Sequence, residues 1–241
     1  MEIKETIYDG ESVKVYGTDN PDEVVFRYTD SITAYKKIKR AEIANKGRYC
    51  CAIADMLYKV LERAGIRTHY LSRLSEYEIL CRKADVIPVE VIVRNVIAGS
   101  MSRRLGVPEG VRPSNTIFDL CYRHEELYDP LINDHHAVAL GLATYDELKE
   151  IYNAAGRANQ VLIGFFAKAG IELVDFKINF GRLSDGTMVI ADEITPDSSR
   201  LWDSVTGERL DKDRFRRDMG RLRDTYKEVY ERLSKVFEGN D

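Results

Sequence analysis

Residues 171–202 read IELVDFKINFGRLSDGTMVIADEITPDSSRLW, and the rest of the chain is arranged around them. Strand side chains alternate between faces, so Asp175, Lys177 and Asn179 share one side. Val174, Phe176, Ile178 and Phe180 fill the other, joined across the turn by Val189. Asp185-Gly186 is a two-residue hairpin turn of the favoured kind. With that pair at the turn centre, Ser184 faces Thr187, and the same register sets Asn179 opposite Asp192. Cross-strand Cβ atoms lie about 4.5–5.5 Å apart, close enough for both side chains to share one cation. Arg200 follows the turn Thr195-Pro196-Asp197. Such a face is often only the solvated side of a hairpin. A platform this well anchored, bearing Asp, Lys, Asn, Asp and Arg together, reads instead as a site for phosphate and Mg²⁺.

Working outward, residues 87–100, IPVEVIVRNVIAGS, form a second informative stretch. Glu90, Ile92 and Arg94 share one strand face, and Val89, Val91 and Val93 the other. Ala98-Gly99-Ser100 then turns into a short helix, whose free N–H groups suit a phosphate. Arg94 can fork onto the same anion. An Arg94–Glu90 pair would have to span about 13 Å along the strand, so the ligand role is preferred.

Residues 6–16 and 24–28 read as short strands. Inside the first run Tyr8-Asp9-Gly10-Glu11-Ser12 is a tight turn, either an ordinary hairpin or a loop that drapes N–H groups over nucleotide phosphates. Residues 36–46 carry five Lys or Arg, which reads as a solvated basic loop or, more sharply, an anion-binding one. Residues 48–64 have helical apolar spacing, and Gly65 stops them. Residues 66–71 and 78–83 follow as strands, with His69 structural. Residues 106–140 are loop-rich, and the adjacent His135 and His136 lack zinc spacing. Thr144 and Glu147 form a capping box that opens a long helix ending near Gly170. Residues 211–237 close the chain as an amphipathic helix or helix pair.

The 241 residues, net charge -4, exert no general pull on nucleic acid. No apolar run reaches membrane-spanning length, and the N-terminus MEIKETIYDG lacks a signal-peptide core. Four cysteines without framework or zinc spacing read as reduced, which fits the cytoplasm. The expected fold is α+β with antiparallel sheets and packed helices. Its lobes are 1–85, for the nucleotide, and 86–241, for substrate and metal, with the active site between them.

Together these stretches resemble the SAICAR synthetase family, phosphoribosylaminoimidazole-succinocarboxamide synthases. PVEVIVRNVIAGS and LVDFKINFG match its two signatures, the second at all but one position, and DEITPDSSRLWD and DKDRFRRD also follow it. The resemblance implies a two-lobed fold related to ATP-grasp and kinase-like enzymes. It implies ATP-driven joining of carboxyaminoimidazole ribonucleotide to aspartate, with Mg²⁺, in a homo-oligomer that binds small molecules. It also implies roles. Arg94, Ser100, Arg200 and Asp197 would hold the ribonucleotide, and Lys177, Asp175 and Arg94 would serve the reaction. Gly10, Ser12, Lys14, Val15 and Lys83 would hold ATP, and Asp192 and Asn179 the metal.

Three places depart from the family. Its N-terminal loop has two lysines where this chain has Glu11 and Val13, leaving only Lys14. A carboxylate beside polyphosphate costs about 1 kcal/mol at 4 Å in bulk water. A segment with little charge in the family is here Ala34-Tyr35-Lys36-Lys37, and Asn179 replaces a Glu. The expectation is a working synthetase in which Lys14, Lys36 or Lys37 compensates. The alternatives are a paralogue acting on a related ribonucleotide in a nucleoside-antibiotic pathway of the pentostatin or coformycin kind, or a binding protein without turnover.

Overall fold

A computed structural model describes residues 1–35 and 37–239. The first strands are β1 (Ile3–Asp9), β2 (Val13–Thr18) and β3 (Glu23–Tyr28). They are followed by β4 (Ser31–Ala34) and β5 (Lys39–Glu42), then helix α1 (Lys46–Arg63). Much of the basic stretch expected as a loop is thus a two-stranded antiparallel hairpin, in which Ile32 and Ala34 are buried while Lys37 and Arg40 are exposed. Lys36 lies outside the described residues. Strands β6 (Tyr70–Arg73) and β7 (Glu78–Arg82) complete a sheet of order β1-β2-β3-β7-β6. The first of these starts later than its apolar residues suggest, because Thr68 bridges to Ile190 instead.

Next come β8 (Asp85–Arg94), α2 (Gly99–Leu105) and β9 (Ile117–Tyr122). Short β10 (Leu131–Ile132) and α3 (Asp134–Ala139) follow. The region that reads as loop therefore contains a strand, β9, paired along β8 from Val89 to Arg94 and flanked on its other side by β10. His136 is spent on the α3 capping box with Asn133. Helix α4 (Tyr145–Lys168) opens on the Thr144–Glu147 capping box, as its sequence signature requires.

Strand β11 (Ile171–Arg182) is the spine of the second sheet. One edge pairs with β8, and the other pairs first with β13 (Ser199–Asp203), then with β12 (Met188–Ala191). The hairpin register differs from the two-residue turn by one. The Gly186 N–H bonds to the Leu183 carbonyl and the Leu183 N–H to Thr187, giving a three-residue loop with Gly186 left-handed at φ 82°. Asn179 therefore faces Ala191, and Ile190 rather than Val189 joins Phe176, Ile178 and Phe180 in the core. Burying each such side chain contributes roughly 1.5–3 kcal/mol, so the platform is firmly seated.

The chain closes with α5 (Asp213–Arg216) and α6 (Leu222–Glu238). Helix α1 serves two cores at once. Ile53, Leu57 and Leu61 pack on the second sheet with α4 and α6, while Cys50, Ala54 and Tyr58 pack under the first. Phe215 and Tyr226, from the far end of the sequence, fill that first core as well.

Candidate active site

Two adjoining cavities share Tyr8, Val13, Arg123 and Asp192. The first, about 320 Å³, is walled by Val13, Val15, Val24 and Phe26 and by Lys83, Ala84 and Val86 on the link into β8. Its size and aliphatic walls suit a flat ring system. Alternation along β2 and β3 puts these side chains on one face. Of this wall, sequence reasoning named Val15 and Lys83 but missed Phe26 and Val24, whose pattern is that of any buried strand.

The second cavity, about 660 Å³, lies under the β1–β2 loop and includes Gly10, Glu11 and Ser12. A Cβ on Gly10 would fall 2.5 Å from the Tyr8 ring and 2.5 Å from the Val13 carbonyl oxygen, so only glycine fits. Thr29 clasps the loop, donating its N–H to Ser12 at 2.9 Å and its hydroxyl to the Glu11 carbonyl. Tyr8 donates to Glu125 at 2.9 Å, tying the loop to the opposite wall. Burial first, then Glu125, push that phenol up to about 12. Among the described residues, Glu11, Glu125, Glu126, Asp129, Asp192 and Glu193 line this cavity against Lys37 and Arg123.

Asp192, which both cavities share, accepts from the amide N–H of Asn179 at 2.8 Å. The Asn179 carbonyl oxygen is buried without a hydrogen-bond partner. Asp192 follows the end of β12 in a left-handed conformation, φ 73°, and this turns its carboxylate back toward Asn179 despite the shifted register. The Tyr58 hydroxyl donates to the Asp192 backbone carbonyl, and its oxygen lies 3.1 Å from His69 Nε2. With the hydroxyl proton so used, the His69 Nε2–H donates to Tyr58. Burial, then Arg82, pull His69 down to about 3, keeping it neutral. Among the described residues no cluster of three His, Cys, Asp or Glu could hold a metal. One carboxylate and one unpaired amide oxygen fit a hard cation that takes its remaining ligands from water and phosphate.

Along the platform, Asp175 accepts from Arg94 at 3.0 Å and from Arg200 at 2.8 and 3.1 Å. Arg94 is 1% exposed; it also meets Asp119 at 2.7 Å and Ser100 at 3.4 Å. Its guanidinium, expected on a ligand, is thus occupied by two carboxylates from β9 and β11. Arg200 continues the chain to Asp213 at 3.0 Å. Gly99, at φ 58°, lies so close to Arg200 that a Cβ would land on the guanidinium. The Gly99 N–H, expected to be free for phosphate, donates to Glu109 at 2.9 Å. Ser100 is exposed.

Lys177 is half-exposed and lies 2.9 and 3.1 Å from the Glu90 carboxylate oxygens. Burial works to lower its ammonium, but Glu90 outweighs this and raises it. Asp197, expected to face substrate, is instead enclosed. Lys46 reaches it at 2.5 Å and Tyr226 donates to it at 2.5 Å. Burial opposes that carboxylate, yet Lys46 holds it well below the usual range. It braces the turn beneath the platform rather than presenting an oxygen to a ligand. Burial, then Asp197 and Asp192, raise neighbouring Glu193. Lys14 does not line the nucleotide-sized cavities; it pairs with Asp9 at 2.8 Å along the groove that also holds Arg40 and Glu42.

A family model for SAICAR synthetase matches residues 6–233. A phosphoribosylaminoimidazole-succinocarboxamide synthase of Fusobacterium nucleatum is 52% identical over 235 residues, 98% of this chain and 99% of that protein. Its counterpart in Clostridium beijerinckii is 49% identical over 98% of this chain and 100% of the relative. A solved SAICAR synthetase in complex with ADP superposes with a TM-score of 0.93 at 41% identity, covering 96% of this chain and 98% of that one.

Proposed function

Since the chain belongs to the SAICAR synthetase family, we propose that it joins carboxyaminoimidazole ribonucleotide to L-aspartate, using ATP, in purine biosynthesis. A carboxylate is a poor electrophile. Transfer of the γ-phosphoryl group to one of its oxygens supplies a leaving group. The aspartate amine then attacks the carbonyl carbon, the C–N bond forms, and phosphate departs.

One observation carries the placement: Asp192 belongs to both cavities. The base of ATP fits the aliphatic slot of Val13, Val15 and Phe26, and its phosphates then pass under Gly10 and Ser12 toward Asp192. Asp192 and Asn179 would hold Mg²⁺, which when bound neutralises phosphate charge and aligns the transferring group. The half-exposed ammonium of Lys177, kept charged by Glu90, faces the reacting carboxylate and draws its charge. Ser100 and the free edge of Arg200 take the ribose phosphate. Arg94 and Asp175 hold Arg200 in place for that task. In this reading residues 1–85 and 86–241 are the two lobes that close on ATP.

All the relatives compared above are named for the synthase, so the antibiotic-pathway paralogue has no support among them. We place the enzyme in the cytoplasm, as a homo-oligomer acting on small molecules. Four free buried thiols agree with a reducing compartment. Among the described residues no helix is long and apolar enough to cross a membrane. The test is incubation with ATP, Mg²⁺, aspartate and the carboxylated ribonucleotide, followed by detection of ADP and the succinocarboxamide. Absence of both products, with the chain folded, refutes the proposal.

A further inference from the structure

We propose that Lys37, on the turn between β4 and β5, is the cation that grips the terminal phosphates of the nucleotide, a task the glycine loop itself cannot perform. This rests on the nucleotide reading above. The one charged side chain that the loop at residues 10–12 presents to the cavity is Glu11, and Lys14 is drawn off to Asp9 at 2.8 Å. Among the described residues, Lys37 and Arg123 are the cations that line the cavity; Arg123 lies 3.5 Å from Asp192, and Lys37 lies on the loop side.

Its ammonium sits 3.4 Å from Glu125 and 3.9 Å from Glu11, both longer than the ~2.7–2.9 Å of a well-made charged hydrogen bond. The side chain is 52% exposed, so two carboxylates tether the ammonium without satisfying it. Polyphosphate offers stronger acceptors in the same space.

The backbone supports the assignment independently. Lys37 has φ 67°, a left-handed conformation unfavourable for a side chain of this kind. Its carbonyl accepts from Arg40 Nε at 2.9 Å, and the Ile38 N–H closes the turn onto Tyr35 at 3.2 Å. Tyr35 and Lys39 pin the hairpin to the carbonyls of Arg216 and Phe215, each at 2.5 Å. Glu125 and, more distantly, Glu11 thus hold the lysine at the cavity until phosphate displaces them.

Calorimetric titration of the intact chain with ADP, and with adenosine as the phosphate-free control, tests the assignment. Lys37→Ala should weaken ADP binding about tenfold and leave adenosine unchanged. Lys37→Arg should restore most of the loss, and Lys14→Ala should change nothing. Glu11→Gln should tighten ADP severalfold. Wild type that binds both ligands, with Lys37→Ala also binding ADP normally, overturns the assignment alone. Wild type that binds neither overturns the nucleotide reading and the assignment with it. If Lys37→Ala fails to fold by thermal melting, Glu11→Gln decides, and unchanged ADP affinity there overturns the proposal.

Discussion

Asn179 and Asp192 hydrogen-bond at 2.8 Å although their strands are paired one residue away, with Asn179 against Ala191. A slip of one residue should send the aspartate to the opposite face. The left-handed backbone of Asp192 reverses that, and the Tyr58 hydroxyl on its carbonyl helps hold it there. An aspartate tolerates this conformation better than most residues do. The Asn179–Asp192 pair is therefore made by a local backbone feature at the strand end, supported from α1 and not by sheet pairing.

Changing the charge of this pair should change the metal requirement. Asn179→Glu restores a carboxylate and should lower the Mg²⁺ concentration for half-maximal activity several-fold. Asp192→Asn should raise it and reduce kcat/KM by about 100-fold, the scale of losing one preorganised electrostatic partner. Mg²⁺ titrations of initial rate, paired with calorimetry of ADP binding, measure both. Equal Mg²⁺ dependence in all three proteins would refute the pairing.

Arg94 is a keystone of the interior. Arg94→Met leaves the buried Asp175 and the half-buried Asp119 with reduced compensation, which should cost about 3–5 kcal/mol of stability. Arg94→Lys should recover only part, because one ammonium cannot serve Asp119, Asp175 and Ser100 from a planar fork. Urea unfolding supplies the numbers, and a loss below about 1 kcal/mol for the methionine variant would contradict this role.

Alternation made the β8 and β11 faces legible, since Asp175, Lys177 and Asn179 must share a side whatever the rest of the fold does. Capping chemistry likewise gave the start of α4. Turn length was less legible, because Asp-Gly serves a two-residue loop and also the last two places of a three-residue one. Strand β9 carries no clean period, so Asp119, the partner that occupies Arg94, was invisible. Asp197 sat in a polar turn that gives no sign of Lys46 and Tyr226, which are distant in sequence and close over it. The aliphatic slot was missed for a different reason. A strand residue facing a cavity and one facing a core look alike until the second wall is in place.

Acid should expose the buried His69. Its folded value of about 3 lies below the ordinary 6.5, so between those limits the unfolded chain binds the extra proton. Stability from this group is complete above pH 6.5 and is lost as pH falls toward 3. Between pH 7 and pH 5 the loss is about 2 kcal/mol. Glu193 and Asp211, whose carboxyls are raised chiefly by burial, act in the opposite sense over part of that range. The informative quantity is therefore the difference between wild type and His69→Phe. Denaturant unfolding at the two pH values should show the variant losing about 2 kcal/mol less than wild type. Parallel behaviour of the two proteins would mean that His69 is protonated in the fold.

Lys177 and Glu90 should separate chemistry from nucleotide binding. Lys177→Met removes the ammonium proposed to face the reacting carboxylate, and kcat/KM for the ribonucleotide should fall by about 10³ while ADP affinity stays constant. Glu90→Gln leaves the ammonium in place but takes away the carboxylate that raises it, at 2.9 Å. Its effect should be milder, near tenfold, and should grow at alkaline pH as the lysine loses its proton more readily. Initial-rate pH profiles of the two variants distinguish this from simple misfolding, which would depress activity equally at every pH. Should Lys177→Met weaken ADP binding as much as it slows turnover, the lysine serves the nucleotide and not the carboxylate.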